Sequence, residues 1–160
     1  MVKNSKITPR GPQKVLAISS GGGHWIQLKR LLPAFSSCQV VFVSEHKSYE
    51  AETSPSKFYS ICQATRMNRV KLIRQALSLC WILLKERPDV IISTGTSCGF
   101  IAFLLAKLLL KSRTIWVDSI ANAETLSLSG KLAKPLADLC LTQWAHLAEP
   151  DGPYYKGSVL

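Results

Sequence analysis

Short, unbroken apolar runs constrain this chain more than any other feature. "KVLAIS" (14–19), "CQVVFVS" (38–44), "DVIIST" (89–94), "RTIWVDS" (113–119) and "DLCLTQ" (138–143) place apolar residues at successive rather than alternate positions. A strand so composed needs cover on both faces, which is the condition of a parallel sheet. "KFYSICQA" (57–64) alternates weakly and reads as a further strand. The segments between carry helical signals. A helix is predicted from His24 to Leu32, closed by Pro33. A long one over 68–88 is capped by Asn68 and closed by Pro88; another spans 98–110, and a short one over 127–137 is interrupted near Pro135. "EHKSYEAETSPS" (45–56) reads as a surface loop, and the tail from Glu149 as turns. Strand–helix alternation predicts an α/β fold: a Rossmann-like parallel sheet with helices on both faces. The 160 residues suit one domain over 14–160, preceded by a flexible basic arm over 1–13. That arm has no apolar core of a secretory signal.

In such sheets ligands bind beyond the carboxyl ends of the strands. Three unusual motifs fall there: "SSGGGH" (19–24), "STGTSCG" (93–99) and "VDSIANAE" (117–124). Ser20, Gly21, Gly22 and Gly23 lead into a helix, where bare backbone N–H groups suit a phosphate or pyrophosphate; a plain tight turn is the alternative. His24 falls in the first helical turn, where the dipole disfavours an imidazolium. A neutral ring at the crevice can take a proton from an attacking hydroxyl, or simply hydrogen-bond locally. Thr94, Gly95, Thr96 and Ser97 suit a sugar or phosphate, or ordinary capping. Asp118 and Ser119 end a strand, where the carboxylate can orient His24, bind an acceptor hydroxyl, or satisfy backbone donors. Glu124 lies farther along the same loop.

Two nucleotide signatures fail. The dinucleotide pattern G-x-G-x-x-G meets Ile26 where its third glycine belongs, although Glu45 stands where a ribose-binding acid would. "SGK" (129–131) has Thr125 where the first glycine of a phosphate-binding P-loop belongs. The five cysteines form no close pair and read as buried, reduced thiols of a cytosolic protein. Neither a metal nor a cofactor is expected.

The net charge of +10 calls for an anionic partner. Arg66, Arg69, Lys71 and Arg74 open the long helix, whose later part "LSLCWILL" is apolar nearly all round. "CGFIAFLLAKLLL" (98–110) is similarly apolar yet too short to cross a bilayer. Basic residues beside apolar helices favour an anionic membrane surface, with Arg69, Lys71, Arg74 and Trp81 docking on it. No nucleic-acid motif accompanies the charge.

The glycine–histidine motif, "PDVIISTGTSCGFIAFLLAKLL" and "VDSIANAETLSLSGKLAKPLADLCLTQW" together resemble the PssD-type polysaccharide biosynthesis proteins. These are bacterial relatives of the membrane-anchored subunit of the dolichol-linked N-acetylglucosaminyltransferase. The resemblance covers about Lys14 to Leu160. It implies the N-terminal, acceptor-side domain of a GT-B glycosyltransferase related to the MurG type. The nucleotide-sugar site would lie on a separate donor-side subunit, and the acceptor would be a lipid-pyrophosphate-linked saccharide. Gly21, Gly22, Gly23 and His24 would then stand near the acceptor's pyrophosphate and nucleophilic hydroxyl. Thr94 and Gly95 would line the cleft, with Asp118 and Ser119 facing them. His24 and Asp118 are the catalytic candidates; the implied location is peripheral, on the cytoplasmic face of the cell membrane. Two other classes compete: a single-chain nucleotide- or dinucleotide-binding enzyme, and a non-enzymatic scaffold that recruits a partner to the membrane. The chain departs from eukaryotic members in showing only "MVKNSKITPR" where they carry a membrane helix, and in an Asp at 118 where relatives often have Glu.

Overall fold

The computed structural model describes residues 12–65 and 67–159. The predicted arm up to residue 11, and Arg66, lie outside the described residues. Seven strands run in chain order: β1 (Lys14–Ser19), β2 (Gln39–Ser44), β3 (Lys57–Ser60), β4 (Val90–Ser93), β5 (Arg113–Val117), β6 (Leu139–Thr142) and β7 (Tyr154–Tyr155). The helices are α1 (Gly23–Leu31), α2 (Glu50–Thr53), α3 (Arg69–Glu86), α4 (Thr96–Leu109) and α5 (Leu128–Ala133). All strand pairs are parallel, in the order β3-β2-β1-β4-β5-β6-β7.

The apolar runs behave as two-sided strands. Along β1, Val15 and Ala17 face one layer with Trp25 and Leu28 of α1, while Leu16 and Ile18 face the other. That second layer holds Leu79, Ile82 and Leu83 of α3, Ala102, Phe103 and Ala106 of α4, and Ala133 of α5. Period-two alternation persists; both sets are buried because both faces are covered.

Helix ends follow local chemistry. The Asn68 side chain accepts from the Lys71 amide at 2.9 Å and starts α3. Arg87, in the left-handed conformation at φ 45°, ends it one residue before Pro88. Ser127 caps α5 by accepting from the Gly130 amide at 2.8 Å.

Several expectations change. Residues 45–56 are not an open loop: a 3₁₀ turn at Lys47–Tyr49 and α2 fold Tyr49 onto Trp25, ring centroids 4.5 Å apart. The predicted tail supplies β7, helix α4 starts at Thr96 rather than 98, and α5 ends at Ala133, four residues before 137. Only Cys98 and Cys140 are buried; Cys38, Cys62 and Cys80 are half-buried, and all five are free. Burial pushes the Cys98 and Cys140 thiols up to about 12 and about 11, so neither is a ready nucleophile. On α3, Val70, Ile73, Leu77 and Leu84 point outward, and Leu79, Ile82 and Leu83 form the core face.

The amino edge of the sheet is closed by one carboxylate. Glu86, 3 % exposed, accepts from Tyr59 Oη at 2.6 Å, Lys14 Nζ at 3.1 Å and Lys57 Nζ at 3.2 Å. These bonds tie the end of α3 to β1 and β3. Burial alone would raise the Glu86 carboxyl, but its three donors outweigh that and hold it at about 2. Bonding to Glu86, with burial, pushes the Tyr59 hydroxyl up to about 12. Glu86→Gln is expected to lower unfolding free energy by roughly 1–3 kcal/mol near neutral pH, since it discards the charge-assisted bonds. A folded-state pKa below the unfolded one stabilises above the ordinary carboxyl value of 4.5, and that gain fades as pH falls toward about 2. Urea unfolding of both proteins should therefore converge across that window.

Candidate functional site

The sheet order reverses between β1 and β4, so the chain leaves these adjacent strands toward opposite faces and opens a crevice at their carboxyl ends. The glycine motif and the 93–99 turn line this crevice from its two sides.

On the β1 side, the Ser20 carbonyl accepts from Ser19 Oγ at 3.0 Å and Ser44 Oγ at 3.4 Å. This fixes the loop to the end of β2. Gly22 has φ 64° and ψ −134°, a conformation suited to glycine. Its carbonyl takes the Trp25 and Ile26 amides, and its own amide donates to Tyr49 Oη at 3.0 Å. The first amides of α1, Gly23 and His24, have no acceptor within the helix by construction. The His46 ring lies against Gly21, and a Cβ there would collide with it.

On the β4 side, Thr94 is fully buried and paired reciprocally with His24. His24 Nδ1 lies 2.7 Å from the Thr94 carbonyl, and Thr94 Oγ1 donates to the His24 carbonyl at 2.8 Å. A carbonyl only accepts, so Nδ1 donates this bond, and the tautomer it selects leaves the lone pair on Nε2. Gly95, at φ 136°, lets the ring in: a Cβ there would stand 2.6 Å from His24 Cε1 and Nδ1. Thr96 follows at φ 71°, an unfavourable conformation for a β-branched residue, as strained turns at functional sites often show.

Between the two turns lies a polar pocket of about 320 Å³ lined by Ser20, Gly21, Glu45, His46, Gln63, Thr96 and Ser97, with Ala64. Burial raises the Glu45 carboxyl, opposed by the bond from Gln75 Nε2 at 3.0 Å. His46 and Gln63 carry no motif in the sequence. His46 enters because residues 45–49 curl back over the glycine loop, a fold that the alternation of strands and helices does not announce, and Gln63 enters from the segment that follows β3.

Asp118 is placed differently from His24. Its carboxylate, 2 % exposed, accepts from Trp116 Nε1 at 3.1 Å, Asn122 Nδ2 at 3.2 Å, the Ser127 amide at 2.9 Å and Ser127 Oγ at 2.7 Å. All its contacts turn inward, and the group that orients His24 is the Thr94 carbonyl. The Asp118 carbonyl accepts from Gln27 Nε2 and Gln143 Nε2, both at 3.1 Å, so α1 is bolted to the end of β5. Ser119 is half-buried and accepts the Ala121 amide at 3.3 Å within that turn. Glu124 is exposed. The structure thus brings Ser20, Gly21, Gly22, Gly23, His24, Thr94 and Gly95 together and gives Asp118 a positioning task. Arg69, Lys71, Arg74 and Trp81 lie apart, exposed on α3, with Lys85 Nζ 4.4 Å from the centre of the Trp81 ring. No cluster of metal-ligating side chains occurs among the described residues.

Asp118→Ala leaves the buried Trp116 Nε1 and the Ser127 amide without acceptors. It should cost roughly 2–4 kcal/mol in denaturant unfolding, whereas a freely exposed carboxylate would cost almost nothing.

Residues 37–158 match the family model described as "Oligosaccharide biosynthesis protein Alg14 like". A human UDP-N-acetylglucosamine transferase subunit ALG14 is 27 % identical, over 93 % of this chain and 83 % of its own. Its Schizosaccharomyces pombe counterpart is 46 % identical over 65 residues, 38 % of this chain and 31 % of its own. Among solved structures, Acinetobacter baumannii MurG superposes with a TM-score of 0.72 at 15 % identity, over 92 % of this chain and 46 % of that one. A UDP-N-acetylglucosamine 2-epimerase from Rickettsia bellii gives 0.70 at 16 % identity, over 92 % and 45 %. The chain therefore spans just under half of these two solved proteins. The likeness concerns the fold alone: a Rossmann-like layer equivalent to the N-terminal domain of a GT-B glycosyltransferase.

Proposed function

Because this chain belongs to the Alg14-like family of oligosaccharide biosynthesis proteins, we propose that it is the acceptor-binding, membrane-associating subunit of a two-component glycosyltransferase. The relatives are named as UDP-N-acetylglucosamine transferase subunits, and that role supports UDP-N-acetylglucosamine as the donor of the assembled enzyme. The donor site lies on a second subunit that closes over the crevice, since one Rossmann-like layer supplies half of a GT-B cleft. The acceptor is a lipid-pyrophosphate-linked saccharide.

One observation carries the catalytic reading: the reciprocal His24–Thr94 pair, which engages Nδ1 and leaves His24 Nε2 without a hydrogen-bond partner among the described residues. In the complex, Nε2 takes the proton of the acceptor hydroxyl as its oxygen attacks the anomeric carbon of the nucleotide sugar. The new C–O bond forms as the bond to the nucleotide's phosphate breaks, with inversion, and the nucleotide leaves with that electron pair. The glycine-loop amides hold the acceptor's pyrophosphate. Thr94 and Gly95 position the base, Ser20 and Ser119 border the acceptor, and Asp118 keeps the facing loop in place.

The membrane reading is supported by α3. Val70, Ile73, Leu77, Trp81 and Leu84 are 46–77 % exposed on one apolar face, with Arg69, Lys71 and Arg74 on its first turns. No described helix is long and apolar enough to cross a membrane. In this reading the exposed face of α3 docks on the cytoplasmic side of the membrane by apolar insertion and attraction to anionic lipid.

Sugar transfer to lipid-linked acceptor should be absent with this chain alone and present once its donor-side partner is added. His24→Ala in the complex should lower kcat by about 10²–10⁴-fold with unfolding unchanged. Full activity of that variant would leave the chain as an acceptor platform only. Replacing Arg69, Lys71 and Arg74 together by Glu should weaken binding to anionic vesicles at least tenfold, at about 1 kcal/mol per basic residue. The loss should shrink at high salt, and unchanged co-sedimentation would remove the docking face.

A further inference from the structure

An apolar groove of about 440 Å³ runs between α3, α4 and α5. Its walls include Ile73 and Ala76 of α3, Phe100, Ile101 and Leu104 of α4, and Leu132 of α5. Serines 97 and 129 are its polar lining, and Ser97 also lines the polar pocket beside the glycine loop. Both cavities therefore border the first turn of α4, on either side of Ser97. From Ser97, the wall continues through Phe100, Ile101 and Leu104 at spacings of three, four and seven, one face of a helix. At about 1.5 Å per residue the face runs on the order of 10 Å away from the pocket. Helix α3 joins the two chambers as well: Gln75 bonds Glu45 of the pocket, while its neighbours Ile73 and Ala76 line the groove. Two of its wall residues, Ile73 and Leu104, are themselves exposed, as are Leu77 of α3 and Leu108 of α4 one turn farther along each helix.

We propose that pocket and groove are one bipartite site, and that the groove takes the first segment of the acceptor's own hydrocarbon chain. This rests on the acceptor-binding reading above. The chemistry of the walls selects the occupant. The groove offers almost nothing but hydrocarbon, so it cannot repay desolvation of a peptide or a sugar. The pocket offers hydroxyls, amides and a histidine, which suit a phosphate-bearing head. Arg69, Lys71 and Arg74 are exposed on the first turns of α3, the turns that also carry Ile73 and Gln75, and their charge suits an anionic head. A ligand filling both chambers must be anionic and polar at one end and a hydrocarbon chain at the other. Held this way, the chain leaves the crevice along α4 and reaches the apolar face of α3 without crossing water.

The test fills the groove without touching the pocket. Ala76→Phe places a ring where the chain would lie. With the reassembled two-subunit enzyme in detergent, this variant should raise KM at least tenfold for an acceptor with its full chain. KM for an acceptor whose chain is cut to a propyl group, and KM for the donor, should stay within twofold. Calorimetry on this chain alone, with decyl phosphate below its micellar concentration against inorganic phosphate, gives a readout independent of turnover. The decyl compound should bind at least tenfold tighter than phosphate to the unaltered chain, and that advantage should vanish in the variant. Leu104→Gln, at an exposed position, provides the same comparison if Ala76→Phe fails to fold. Equal KM changes for both acceptors, or decyl phosphate binding that the variants leave intact, would overturn the proposal. Loss of vesicle binding with no chain-length effect would assign the groove to bulk lipid and overturn it too. If the unaltered complex turns over no acceptor, the acceptor-binding reading fails, while calorimetry still decides what the groove holds.

Discussion

The hydrogen-bonded pair between His24 and Thr94 is the interaction on which the crevice depends. It bridges the two strands at which the sheet order reverses, so it joins loops that the chain sends to opposite faces. Each partner gives and takes one hydrogen bond, which fixes the imidazole in rotation and in tautomer at once. Gly95 is the condition for that contact, because no side chain fits between the turn and the ring. Gly21 stands in the same relation to His46. The small residues at both turns thus serve the two histidine rings as well as the approach of a ligand.

The layers behind the crevice reach the same end with different chemistry. At the amino edge, Glu86 gathers Lys14, Lys57 and Tyr59 and closes the sheet by charge. At the carboxyl edge, the ties are neutral side chains bonded to backbone: Thr94 to His24, Gln27 and Gln143 to Asp118. An anionic ligand therefore meets few fixed carboxylates at the crevice, Glu45 being the one that lines the pocket, and burial favours its neutral form.

Much of this was legible in the sequence. Unbroken apolar runs with helical segments between them gave the parallel sheet, and the placement of small-residue motifs after those runs gave the crevice. What stayed hidden has physical causes. Residues 45–56 form single turns, too short to show a period, so the return of His46 over Gly21 left no trace. Asp118 sits at a strand end like a catalytic acid, and nothing local tells that Trp116, Asn122 and Ser127 enclose its carboxylate. Helix α3 carries two apolar stripes. The pattern shows that both exist but not which one meets Leu16 and Ile91, because that depends on where α4 packs. The outward stripe is the one through Ile73 and Leu77, and the apolar groove follows from that choice.

The turn from Ser119 to Leu126 is suspended between fixed points. One carboxylate holds its start to the amide and hydroxyl of Ser127, and two glutamines from separate elements hold the Asp118 carbonyl. Residues inside such a suspended loop can be exchanged while the strand, the cap of α5 and the His24 lock keep their places. The loop is thus a place where sequence can change while the crevice frame keeps its geometry.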